Sequence, residues 1–200
     1  MTHELRWRIL TLQIVLVLVL ACAAAAGVVA YNFTHDQVRS QLVAQQIVFP
    51  AANSASIKAL PPADAKAMRQ YAGQTMATGY QAETWANHYI AVHLKEIGQG
   101  KTYAYWSGKA LAEQASNPKQ YTIDEGIADT LFKGDTLRSI LLNAYAFWFM
   151  GDVALYAAFA LGAGALIVLL AFLYELVLEP RREGIIEVPP TKLASKTAVS

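Results

Sequence analysis

The 200-residue chain carries a formal charge of +1, a charged fraction of 16% and an apolar fraction of 55%. With a mean hydropathy of +0.29, this is less charge than a soluble domain usually carries, and the near-neutral balance argues against a nucleic-acid partner bound through a basic surface. The apolar residues fall in two blocks near the two ends, which is the pattern of a membrane protein with a soluble insert.

The first block runs from Ile9 to Ala30 without a charge. As a helix it is about 33 Å long, enough to cross a hydrocarbon core of about 30 Å. The second runs from Ile140 to Leu178, interrupted by Asn143, Asp152 and Glu175; its uncharged part, Val153 to Tyr174, matches the first in length. A cleaved signal peptide has a shorter apolar core, of about 7–15 residues, so the first block reads as an uncleaved anchor. Val19-Leu20-Ala21-Cys22 loosely matches a lipid-attachment box, yet Ala23 to Ala30 stay apolar where lipoproteins turn polar. Cys22 is the single cysteine and reads as part of a membrane helix, so no intrachain disulfide staples the insert.

Basic residues near the ends of spans set orientation. Arg6 and Arg8 precede the first span, and Arg181, Arg182, Lys192 and Lys196 follow the second. Both termini are therefore expected in the cytoplasm. The intervening loop, residues 32–138, has ten basic and nine acidic residues and no basic patch. Trp7, Tyr31, Phe33 and the cluster Tyr145, Phe147, Trp148 and Phe149 stand at span ends, where aromatic rings favour the headgroup level.

Within the loop the helical spacing is continuous enough to predict a bundle. Thr34 with Gln37 forms a capping-box pattern before Val38, Leu42 and Ile47, on a helix that either starts there or continues the first span and ends near Phe49-Pro50. Residues 51–62 read as a connection, and Pro61-Pro62 opens a short helix through Ala72. Gly79 to Ile97 is the strongest helix, with Trp85, Tyr89 and Val92 on one face and Gly98 and Gly100 as terminators. Thr102 caps a helix to Ala115. Thr122 with Glu125 opens another that Gly134 ends, and Asp135 caps a final helix running to Leu178. No sustained two-residue alternation marks a strand.

Few residues carry a chemical signal. His88 and His93 lie five positions apart on one helix and diverge by about 140° at about 100° per residue, so they do not share a metal. Asp152 and Glu175 flank the second span at interface depth, where carboxylates stay hydrated; Glu175, Glu179, Arg181 and Arg182 can pair with one another. Ala154, Ala158 and Gly162, and Ala23 with Gly27, are small residues at four-residue spacing, which lets helices approach closely. Trp85, Tyr89, Tyr103 and Trp106, with Trp148, are the candidate lining of a ligand pocket, and Tyr145, Phe147, Trp148 and Phe149 a candidate partner surface. No catalytic, metal, nucleotide or haem motif is present, so no cofactor is expected.

Two segments, HYIAVHLKEIGQGKTY from His88 to Tyr103 and LFKGDTLRSILLNAYAFW from Leu131 to Trp148, resemble a family of bacterial two-pass membrane proteins with no established activity. An aromatic ring-opening dioxygenase activity is sometimes attached to that family. Such chemistry needs two histidines and a carboxylate on one face of an iron, and no residues here carry that site across.

The expected fold is all-α: two transmembrane helices with an extracytoplasmic helical bundle inserted between them, in a bacterial plasma membrane. Residues 1–8 form a cytoplasmic N-terminus, 9–31 the first transmembrane helix, 32–151 the outer domain, 152–178 the second transmembrane helix and 179–200 a disordered cytoplasmic tail. The expected partners are the lipid bilayer and another membrane protein or a second copy. The expected role is a non-enzymatic accessory or structural subunit, with a small-molecule or lipid-binding module as the alternative.

Overall fold

A computed structural model describes residues 3–177; the expected C-terminal tail lies outside these residues. Every regular element among them is helical: α1 (His3–Ala44), α2 (Ala55–Lys58), α3 (Pro62–Arg69), α4 (Gly79–Trp85), a π-helical turn over Ala86–Ile90, α5 (Ala91–Ile97), α6 (Tyr103–Glu113) and α7 (Pro118–Val177). α1 and α7 are the two helices long and apolar enough to cross a membrane. Their most apolar stretches are almost wholly uncovered by protein, whereas the core helix of a soluble domain is mostly buried.

The chain divides into two compact units, one with the residues up to Gly27 and from Tyr156, the other Val28–Leu155. In the first, α1 and α7 run antiparallel. Arg6 donates to the carbonyl of Glu175 at 3.0 Å and Gln13 to its carboxylate at 3.1 Å, while Leu20 lies near Gly164. The less exposed positions of α1 are Leu10, Gln13, Val17, Leu20, Ala24 and Gly27. Their steps alternate between three and four residues, which is the seam of a left-handed helix pair. On α7, Ala158 and Ala165 are buried seven residues apart. Glu175 thus accepts from Arg6 at its carbonyl and from Gln13 at its carboxylate, while Arg181 and Arg182, its partners expected from the sequence, lie outside the described residues.

In the second unit, α1 ends four residues after Ser40, the chain turns through Gln46 with a φ of 54°, and Phe49 is pinned. Its N–H donates to Gln74 at 2.9 Å and its carbonyl accepts from Gly73 at 3.0 Å. Phe49, Ile57, Met68, Met76, Ala82 and Ala86 make the fully buried centre, with Val38 and Leu42 of α1 and Leu131 and Leu141 of α7 around it. The residues read as a plain connection contain α2, capped by Ser54. α4 begins with a capping box that the sequence analysis passed over: Gln81 donates to Thr78 Oγ1, and the Gln81 side chain accepts from the Thr78 N–H.

The expected helix boundaries at Gly134, Asp135, Thr122 and Thr34 are corrected. Gly134 does not end a helix; α7 is unbroken from Pro118 to Val177. A Cβ at Gly134 would meet the side chain of Leu94, with its Cδ1 at 3.0 Å, so this glycine lets α5 and α7 approach. Thr122 is not a cap either. Its hydroxyl donates to the carbonyl of Pro118 within the helix, and the capping atom is Asn117 Oδ1, which accepts from the Gln120 N–H. Thr34 likewise lies inside α1, donating to the carbonyls of Ala30 and Tyr31. A Ser or Thr hydroxyl satisfies itself on the preceding turn, so a capping-box pattern alone does not open a helix.

Candidate functional site

Two features of the Val28–Leu155 unit stand out, a polar knot and an apolar groove. The knot forms where α1 faces α7. His35 Nδ1 lies 2.9 Å from the Tyr31 carbonyl and Nε2 lies 3.2 Å from Asp152 Oδ1. Both ring nitrogens thus face oxygen atoms of neighbouring residues. Asp152 Oδ2 accepts from the Tyr80 hydroxyl at 2.8 Å, tying α4 to the same carboxylate. The imidazole packs at a tilt against the rings of Trp148 and Tyr31, with centroids 3.8 Å and 4.0 Å away. Gly151 makes this approach feasible: a Cβ there would meet Thr34 Oγ1 and lie 2.8 Å from His35 Nδ1. Asp152 was legible as an interface carboxylate. His35 was not, because 117 residues separate it from Asp152 and no local pattern joins them.

The groove lies between the 33–47 stretch of α1 and its following turn, and the 137–147 stretch of α7; its volume is about 500 Å³. Val38, Leu42, Ile140, Leu141 and Phe147 give its apolar surface, and Gln37, Gln41 and Gln45 recur every fourth residue along one edge. All its lining residues are uncharged. That surface suits an apolar molecule and offers neutral hydrogen-bonding groups along one side.

The residues singled out from the sequence are distributed differently. Of the aromatic cluster on α7, Phe147 and Phe149 are exposed, whereas Tyr145 is packed by Tyr80 at 5.8 Å and Trp148 by His35. Consecutive residues on a helix turn by about 100°, so the four do not share one surface. Of the candidate pocket, Trp85 and Tyr89 stack at 4.7 Å beside Phe49. Trp106 is buried and its indole N–H donates to the Gly98 carbonyl at 2.9 Å, while Tyr103 packs on Phe132. These are core and surface contacts of different helices rather than one cavity. Among the small residues, Ala158 is buried, Ala154, Gly27 and Gly162 are half-buried and Ala23 is exposed. A Cβ at Gly162 would meet nothing within 4 Å.

His88 Nδ1 pairs with Asp64 at 2.7 Å and His93 Nδ1 donates to the Tyr89 carbonyl at 2.7 Å. The π turn begins at Ala86 and carries His88. Among the described residues, no group of three or more His, Cys, Asp and Glu side chains is placed to hold a metal ion. One buried ion pair joins α6 to α7. Asp124 is fully buried, with Lys109 Nζ 3.0 Å from Oδ2 and 3.3 Å from Oδ1, where the hydrogen-bond geometry is met, and Gln120 at 2.9 Å. Burial pushes the Asp124 carboxyl up, but Lys109 and Gln120 outweigh it and hold the group below the ordinary carboxylate range. The hydrogen bond to Asp124 raises the Lys109 ammonium.

The chain matches no protein-family model, and no curated protein or solved structure is significantly similar to it.

Proposed function

We propose that this chain is a two-pass protein of the bacterial plasma membrane, a non-enzymatic accessory or structural subunit of a larger membrane assembly. α1 and α7 cross the bilayer, both termini are cytoplasmic, and residues 32–151 form the outer domain. Arg6 and Arg8 before the first apolar run, and Arg181 and Arg182 after the second, support that orientation. The observation that carries the role is the outer part of α7. Ile140, Phe147 and Met150 are 59%, 56% and 61% exposed, yet they precede the 22-residue uncharged run that begins at Val153. Apolar side chains above the hydrocarbon core find cover on another protein. Purification in mild detergent tests this: the chain is expected to elute with a stable larger complex, and isolation only as a monomer would count against it.

The groove favours a second reading, a lipid- or small-molecule-binding module. Its volume falls in the usual range of about 300–1,000 Å³ for ligand sites. Thermal-shift screening discriminates, because a ligand that binds only the folded state raises the melting temperature.

A further inference from the structure

We propose that the groove between α1 and α7 holds one acyl chain of a bilayer phospholipid. The proposal rests on the second reading above and on the membrane assignment of the two long helices. Three observations single out this occupant.

The first is position. Along α1 the groove begins at Phe33, three residues after the apolar run ends at Ala30, and along α7 it ends at Phe147, six residues before Val153. On the membrane reading its lower end is therefore at headgroup level. The second is shape. From Phe33 to Ala44 is twelve residues of helix, or about 18 Å at about 1.5 Å per residue. A trough of that length with a volume of about 500 Å³ suits a linear molecule. A partner helix, about 10 Å across with its side chains, would leave most of its own volume outside. The third is charge. The lining is wholly uncharged, and an ionised headgroup or fatty carboxylate inside it would lack a counter-charge. Gln37, the lowest of the three glutamines along α1, instead offers a neutral amide that suits the ester linkage of a phospholipid whose charged head stays at the bilayer surface. The polar knot of His35, Asp152 and Tyr80 then keeps α1 and α7 at the spacing that leaves the trough between them.

Photo-cross-linking tests this with the full-length chain in phosphatidylcholine vesicles containing a trace of phosphatidylcholine with a diazirine in one acyl chain. After irradiation, labelled peptides are mapped. Label is expected on residues 33–47 and 137–147 as well as on the spans 9–30 and 153–174. Two variants close the groove in different ways: Ala144→Trp fills it and Leu137→Glu charges it at a partly exposed position. Each is expected to lower groove labelling at least fivefold relative to span labelling, with the helical circular-dichroism signal retained. Labelled spans with an unlabelled groove in the wild type would overturn the proposal and leave the membrane reading standing. Groove labelling unchanged in both folded variants would also overturn it. Absence of label everywhere would overturn the membrane reading and the proposal together.

Discussion

Replacing Gly151 by alanine tests the close approach of α1 to α7 in the Val28–Leu155 unit. In an open helical position the change stabilises by about 0.5–1 kcal/mol, because glycine loses more conformational freedom on folding. At Gly151 the added methyl meets Thr34 Oγ1 and comes within 2.8 Å of His35 Nδ1 and 2.9 Å of Cε1. Neither neighbour can yield cheaply. Thr34 donates to two carbonyls of its own helix, and His35 is held by Tyr31, Asp152 and Trp148. Overpacking of this kind costs about 1–3 kcal/mol, and the loosened His35 contacts add about 1 kcal/mol. The net destabilisation is about 1–3 kcal/mol, or a fall in melting temperature of about 3–10 °C for a unit of this size. Thermal unfolding in detergent, followed by far-UV circular dichroism, measures it. Gly126→Ala on the same helix is the control: a Cβ there meets nothing within 4 Å, so that variant should melt at or slightly above wild type. A Gly151→Ala protein as stable as Gly126→Ala would refute the packing argument.

Two further outcomes follow from the core. Phe49 is 1% exposed and packs on Tyr71 and Trp85, so Phe49→Ala should cost about 3–5 kcal/mol, seen as a melting temperature lower by about 10 °C or more. The Lys109–Asp124 pair should make stability depend on pH at both extremes. The lowered Asp124 group contributes stability above its unfolded value of about 3.9 that is lost as pH falls through the folded value, and the raised Lys109 group contributes below its unfolded value of about 10.4 and is lost as pH rises through the folded one. Asp124→Asn should therefore flatten both limbs of a melting-temperature profile against pH; limbs as steep as in the wild type would show that other groups dominate.

The sequence made the helical class and the two apolar runs legible, because length and absence of charge decide them directly. It also placed the Gly79–Ile97 helical segment and the end of α5 at Ile97. It did not reveal the heptad seam of α1, since between Ile9 and Ala30 both faces of the helix are apolar and periodicity has no contrast to show. Gly126, Gly134 and Gly151 look alike in one dimension, yet the first faces open space, the second faces Leu94 and the third faces His35. The groove was hidden for a related reason. Its two walls lie about a hundred residues apart on helices whose apolar residues read equally well as core. The aromatic positions were legible as important but not by role: Trp106 and Trp148 spend their faces on internal contacts, and Phe147 is left on the groove.

The most direct test of the account is the topology itself. In a Cys22→Ala background, single cysteines at Ser116, an exposed residue beyond α6, and at Ser195 are treated in intact cells with a membrane-impermeant maleimide. The account predicts that Ser116→Cys is labelled at once and Ser195→Cys only after the membrane is permeabilised. Labelling of Ser195→Cys in intact cells, or protection of Ser116→Cys, would contradict two membrane-crossing helices with the domain between them outside.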